Sequence, residues 1–96
     1  MAVNVDELVN ALTSKLQVTL TYQKKTTGEV VTYTGGIYEI GANRAGNPCL
    51  WLWDTSMNDH IRDFLLSNII SYQVLQLPFL PDPAFPLKLN GEIIQQ

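Results

Sequence analysis

Apolar positions along this 96-residue chain change their spacing twice, and the changes divide it into three parts. Val5, Leu8, Val9, Leu12 and Leu16 recur at helical intervals and predict a helix over residues 5–15. Asn4 and Glu7 have the spacing of a capping box, with Val3 and Leu8 placed for a hydrophobic staple. The opposite face carries Asp6, Asn10, Thr13 and Ser14. A helix of roughly three turns does not hold itself together in water. Its stripe therefore needs a sheet or a partner to cover, and a sheet is the plainer choice.

From residue 17 the period shortens to two. Val18, Leu20 and Tyr22 alternate with Thr19 and Thr21, which suits residues 17–24 to a strand. Thr27–Gly28 predicts a hairpin turn, and residues 30–34 return as a second β-rich run. Gly35–Gly36 is expected to break or bend the path before Ile37, Tyr38 and Ile40 resume it. Asn43, Gly46 and Asn47 mark the next turn. Residues 49–54 and 60–66 read as the following pair, and residues 69–77 as a last strand bearing Ile69, Tyr72, Val74 and Leu75.

The stretch from Leu50 to Phe64 has the greatest burial potential, since both Trp residues and several aliphatics fall inside it. Along a strand, Leu50 and Leu52 face one way while Trp51 and Trp53 face the other. If one face fills a core, the other must meet the helix, the C-terminal segment or a partner. That two-sided apolarity is the strongest sign of interaction in the sequence.

At Pro78 the composition changes. Pro78, Pro81, Pro83 and Pro86 exclude a regular helix or a central strand. Phe79, Leu80, Phe85, Leu87 and Leu89 are nevertheless too apolar for a simple flexible tail. An extended wrap along the domain is predicted, with a late strand at residues 87–89, a tight turn at Asn90–Gly91 and a return through Ile93–Ile94. The alternative is docking of this segment on another subunit. The expected organisation is a helix-capped β-barrel over residues 1–77 and a Pro-rich extended segment over residues 78–96. Closure into a small, strongly bent barrel would remove the exposed edges of such an apolar sheet.

Composition narrows the function classes. Hydrophobic residues make up 46% and charged residues 16%, which argues against global disorder. The net charge is −3, and neither half of the chain is rich in cations, so a phosphate-binding surface is not favoured. The single Cys excludes an internal disulfide framework and fits a reducing compartment. With no signal-peptide pattern and no apolar run near the ~20 residues of a spanning helix, a cytoplasmic protein without membrane association is expected.

Candidate chemistry is sparse. His60 lies near Asp54, Asp59 and Asp63, but their spacing matches no zinc or calcium motif, and a solvated loop explains them better. Ser56, His60 and Asp63 are close in sequence, which does not supply a nucleophile, an aligned base and an orienting group. Cys49 begins an apolar strand and reads as a small core residue. No phosphate-cradling loop is present. No cofactor, metal or catalytic residue is predicted, and the chain is read as a non-enzyme. Lys24, Lys25, Arg44 and Arg62 are the candidate anion-binding residues, with Tyr22, Tyr33, Tyr38, Trp51 and Trp53 as conceivable stacking surfaces. Glu29 and Glu39 offset the lysines, and core packing is the plainer role for aromatics inside strands.

Residues 16–79 resemble a WYL domain, the small SH3/Sm-like β-barrel of bacterial and phage transcription regulators. The similarity begins with the strand at residues 18–22 and its Lys- and Gly-containing hairpin. It continues through residues 36–39 and 46–50, where Pro48–Cys49–Leu50 stands in place of the family's naming tripeptide and only the Leu is kept. Arg62, Phe64, Leu66 and Ile69 retain the family's Arg–x–Phe–Arg–Leu–Asp–Arg–Ile pattern, while Leu65 and Asn68 replace its other cations. The resemblance implies an SH3/Sm-like barrel with an N-terminal helix, in which such cations help recognise anionic ligands or nucleic acid. The helix-turn-helix module usual in those regulators is not expected within these residues, since residues 1–16 supply only a single helix. The expected function is a non-enzymatic protein-interaction or regulatory module acting on a transcription complex, with anionic-ligand or nucleic-acid sensing as the alternative. A homo-oligomer or a protein partner is expected, contacted through Trp51, Trp53, Phe79, Leu80, Phe85 and Leu87.

Overall fold

A computed structural model describes residues 3–54, 61–82 and 84–95. The chain is mainly β, with one N-terminal helix, α1 (Val5–Ser14). Among the described residues seven strands follow: β1 (Leu16–Gln23), β2 (Val30–Ala42), β3 (Pro48–Asp54), β4 (Ile61–Leu65), β5 (Ile69–Pro78), β6 (Leu87–Leu89) and β7 (Glu92–Gln95). A 3-10 turn, Leu66–Asn68, links β4 to β5.

The helix starts where the sequence predicts and stops one residue early. Asn4 Oδ1 accepts the Glu7 amide at 3.3 Å, as an N-cap should. The reciprocal half of the box is made by Tyr72 of β5 instead. Its hydroxyl accepts the Asn4 amide at 3.2 Å and donates to Glu7 Oε1 at 2.5 Å. Lys15 leaves the helix in the left-handed conformation and closes its last turn onto Ala11 and Leu12. Leu8, Ala11 and Leu12 are buried on the sheet.

The strand order β4-β3-β2-β1-β5 is that of a small bent barrel of the expected SH3/Sm-like kind. Of the break or bend expected at Gly35–Gly36, β2 shows no break and runs on through both glycines. Residues up to Gly36 pair with β1, and residues from Gly35 onward pair with β3. One long strand thus serves two half-sheets and bends where its neighbours change. Beyond Gly36 the side vacated by β1 is taken by β6, which runs parallel to β2 at Glu39–Ile40, and β7 pairs with β6. Asn90 and Gly91, both at positive φ, form the predicted turn between them. Leu87 of β6 is buried in the core together with Leu8, Leu20, Leu50, Leu52 and Ile69.

The barrel closes by side chains. The sheet path ends at β4 and β5, which share no ladder among the described residues, so the edges are not abolished as expected. Phe64 of β4 instead stacks against Tyr22 of β1 and Tyr33 of β2, each with ring centroids 4.9 Å apart. The Leu65 amide donates to Tyr22 Oη at 3.1 Å. On the outer face of β1 and β2, Thr19 pairs with Thr34 and Thr21 with Thr32 through their hydroxyls.

Candidate functional site

The outer face of β2 and β3 is where aromatic side chains gather. Leu50 and Leu52 are fully buried, while Trp51 and Trp53 share the opposite, half-buried face as the alternation predicts. A β-bulge between Ile37 and Glu39 upsets the alternation of β2 and inserts Tyr38. Tyr38 then lies among Trp53, Phe79 and Phe85, with centroid separations of 5.8, 5.7 and 6.3 Å.

The Pro-rich segment arrives over this face as a strap with identifiable anchors. The Phe79 amide donates to Lys15 O at 3.0 Å, and its ring occupies the notch that Gly36 leaves open. The Asp82 amide donates to Tyr38 Oη at 2.7 Å. Asp82 in turn caps a small turn by accepting the Ala84 amide at 2.9 Å through Oδ1. Phe85 closes on Trp53 with centroids 6.3 Å apart. Burial is the main cause that pushes the Tyr38 phenol up from its ordinary value; the nearby Asp82 charge adds to this and the Asp82 amide opposes it.

The strap does not cover everything. Tyr38, Trp51, Ile61, Phe85 and Pro86 line a groove of about 130 Å³, with Glu39 and Lys88 also in its wall. Leu80, between the Phe79 and Asp82 anchors, is 96% exposed. The predicted interaction residues therefore separate. Trp53, Phe79 and Phe85 gather around Tyr38, Trp51 lines the groove, Leu80 projects outward, and Leu87 belongs to the interior.

The four candidate cations separate as well. Lys24 and Arg62 line one open depression of about 420 Å³ with Tyr22, Tyr33, Ile61, Asp63 and Phe64. Arg62 lies over the Tyr33 ring at 5.6 Å and donates to its hydroxyl at 3.3 Å, while Lys24 pairs with Glu29 at 3.6 Å. Asp63 brings a negative charge into the same depression. Lys25 and Arg44 sit exposed in the two hairpin turns, outside that lining.

In the sequence Tyr38 is marked only as a stacking surface, and Ile61 and Lys88 are not marked as site residues. A signal for Tyr38 existed, because burial of both Ile37 and Ile40 requires a slip in a period of two. Nothing local marks Lys88, whose place depends on the β6–β2 pairing.

The remaining chemistry is meagre. Cys49 is fully buried, and burial first, then the Asp63 charge, pushes its thiol up despite opposing hydrogen bonds from Asn43. That is the setting of a core residue rather than a nucleophile. Ser56, Asp59 and His60 lie outside the described residues, as does the side chain of Asp54. Among the described residues no group of three His, Cys, Asp or Glu side chains is arranged to hold a metal, and no helix is long and apolar enough to cross a membrane. No family model, curated protein or solved structure matches the chain.

Proposed function

We propose that this chain is a non-enzymatic protein-interaction module whose binding surface is the aromatic groove between β3 and the C-terminal strap. The observation that carries the reading is the groove itself, lined by Trp51, Tyr38, Ile61 and Phe85, with the exposed Leu80 on the same strap. Interfaces are anchored by aromatic pockets of this kind, in which a side chain is fully desolvated. At about 130 Å³ the groove is smaller than the roughly 300–1,000 Å³ of small-molecule sites and suits a single side chain of a partner. The WYL-like run at Arg62–Ile69 suggests a transcription complex as the regulated assembly. The lone buried thiol of Cys49 suits a reducing, cytoplasmic setting.

A photo-crosslinking residue in place of Trp51, with a control in place of Lys25, tests this in cells. A discrete protein adduct from position 51 and none from position 25 is the expected outcome. Nucleic-acid adducts alone, or no adduct from position 51, would reject the reading.

One observation favours a second reading, anionic-ligand or nucleic-acid sensing. Lys24 and Arg62 share a depression with Tyr22 and Tyr33, so phosphate and base contacts would be adjacent there. Both cations already have partners, and Asp63 opposes them, which ranks this reading second. It requires salt-dependent binding to RNA or DNA that weakens in Lys24→Ala and Arg62→Ala. Absence of binding at low salt would remove it.

A further inference from the structure

Resting on the interaction reading above, we propose that the partner seated in the groove is a second copy of this chain. The two copies are related by a two-fold axis, and Leu80 of each enters the groove of the other. Leu80 is not a loose terminal side chain. The residue before it is fixed by the Phe79 ring over Gly36 and by the Phe79 amide on Lys15 O, and two residues later Asp82 is bonded to Tyr38. The strap thus holds a large aliphatic side chain 96% exposed. Burying it against a partner would remove that apolar surface from water.

Those same anchors keep Leu80 out of its own groove. The groove nevertheless lies close by, since Tyr38 is common to both features: its hydroxyl holds Asp82 and its side chain lines the groove wall. Phe85, on the groove rim, is five residues from Leu80, a reach of at most ~18 Å. A knob and a hole this near each other can both engage across one two-fold axis, each copy giving and receiving once.

Charge supports a copy over an unrelated acidic or basic peptide. Glu39 and Lys88 are register partners on β2 and β6, and both line the groove. Side-by-side opposite charges are self-complementary under a two-fold axis, which sets each Glu39 against the other copy's Lys88. A strongly acidic or strongly basic peptide would meet one like charge.

Sedimentation equilibrium on the full-length chain tests the proposal with two variants, Leu80→Ser and Trp51→Arg. The first removes the knob at a nearly fully exposed position, and the second blocks the groove without altering a buried core residue. Circular dichroism confirms that each is folded. The intact chain is expected at twice 10.8 kDa at high concentration, dissociating on dilution. Leu80→Ser should raise the dissociation constant about a hundredfold, roughly tenfold for each of the two leucines lost per dimer. Trp51→Arg should likewise be monomeric. An equimolar mixture of the two variants should associate more tightly than either alone and about tenfold more weakly than the intact chain, because one intact knob and one intact groove meet in the heterodimer. The proposal is overturned if the intact chain remains monomeric, if Leu80→Ser associates as the intact chain does, or if the mixture stays monomeric. A monomeric intact chain whose position 51 still crosslinks to another protein would reject the second copy and keep the interaction reading. Loss of both would reject both.

Discussion

The Phe79 ring sits directly over the α-carbon side of Gly36, where an added β-carbon would come within 2.5 Å of three ring carbons. The glycine is required by this close approach, since β2 is extended through it and stays paired on both sides of the bend. Gly36→Ala should displace the ring and destabilise the fold by about 1–3 kcal/mol. In a Phe79→Ala background the same substitution should cost much less, a coupling of about 0.5–3 kcal/mol. Urea unfolding of the four proteins in this cycle checks it; additive effects would contradict the contact.

Tyr38→Phe keeps the aromatic cluster and removes the acceptor of the Asp82 amide. The expected loss is about 0.5–1.5 kcal/mol, the net value of one hydrogen bond. Amide exchange should accelerate at Asp82 and in the following turn while the β1–β2 ladder keeps its protection. Uniform acceleration across the molecule would show that the strap does not open by itself.

Both the Tyr38 and Tyr72 phenols are raised above their ordinary value of 10.0, Tyr38 mainly by burial and Tyr72 mainly by its hydrogen bond to Glu7. A raised folded-state value favours the neutral phenol in the fold. That stability is fully present below the unfolded tyrosine value of about 10 and is lost as pH rises through the folded values. Tyrosinate absorbance should therefore show two residues titrating late, and Tm should fall over the same alkaline window. Tyr38→Phe and Tyr72→Phe should each remove one late step.

The helix cap gives a separate check. Asn4→Ala should cost about 1 kcal/mol. Tyr72→Phe should lower Tm and speed exchange of the Asn4 amide, because that amide loses its acceptor. An unchanged Asn4 amide in Tyr72→Phe would contradict the hydroxyl-bridged cap.

Local chemistry made much of this fold legible. The stripe from Val5 to Leu12, the split between Leu50/Leu52 and Trp51/Trp53, and the Asn90–Gly91 turn each follow from periodicity or backbone preference. Gly35–Gly36 leaves break and bend undecided, because glycine signals either when its role is to admit a ring from 43 residues further along, as Gly36 admits Phe79. Closure by Phe64, the Tyr72 contribution to the helix cap, and the union of Tyr38 with Phe85 all depend on long-range pairing. The candidate groove was legible only through Trp51 and Phe85. Its other walls come from the bulge at Tyr38 and from the pairing of β6 with β2, and no local pattern locates that pairing.

The central claim, that two copies of the chain meet through the groove beside the strap, is tested most directly by a dilution series of amide and indole NMR spectra. From the highest soluble concentration down to the micromolar range, signals of Trp51, Ile61, Leu80, Phe85 and Lys88 should shift together along one binding curve. Lys24 and Lys25 should hold still. Shifts centred on Lys24 and Arg62, or spectra that do not change with concentration, would contradict self-association through the groove.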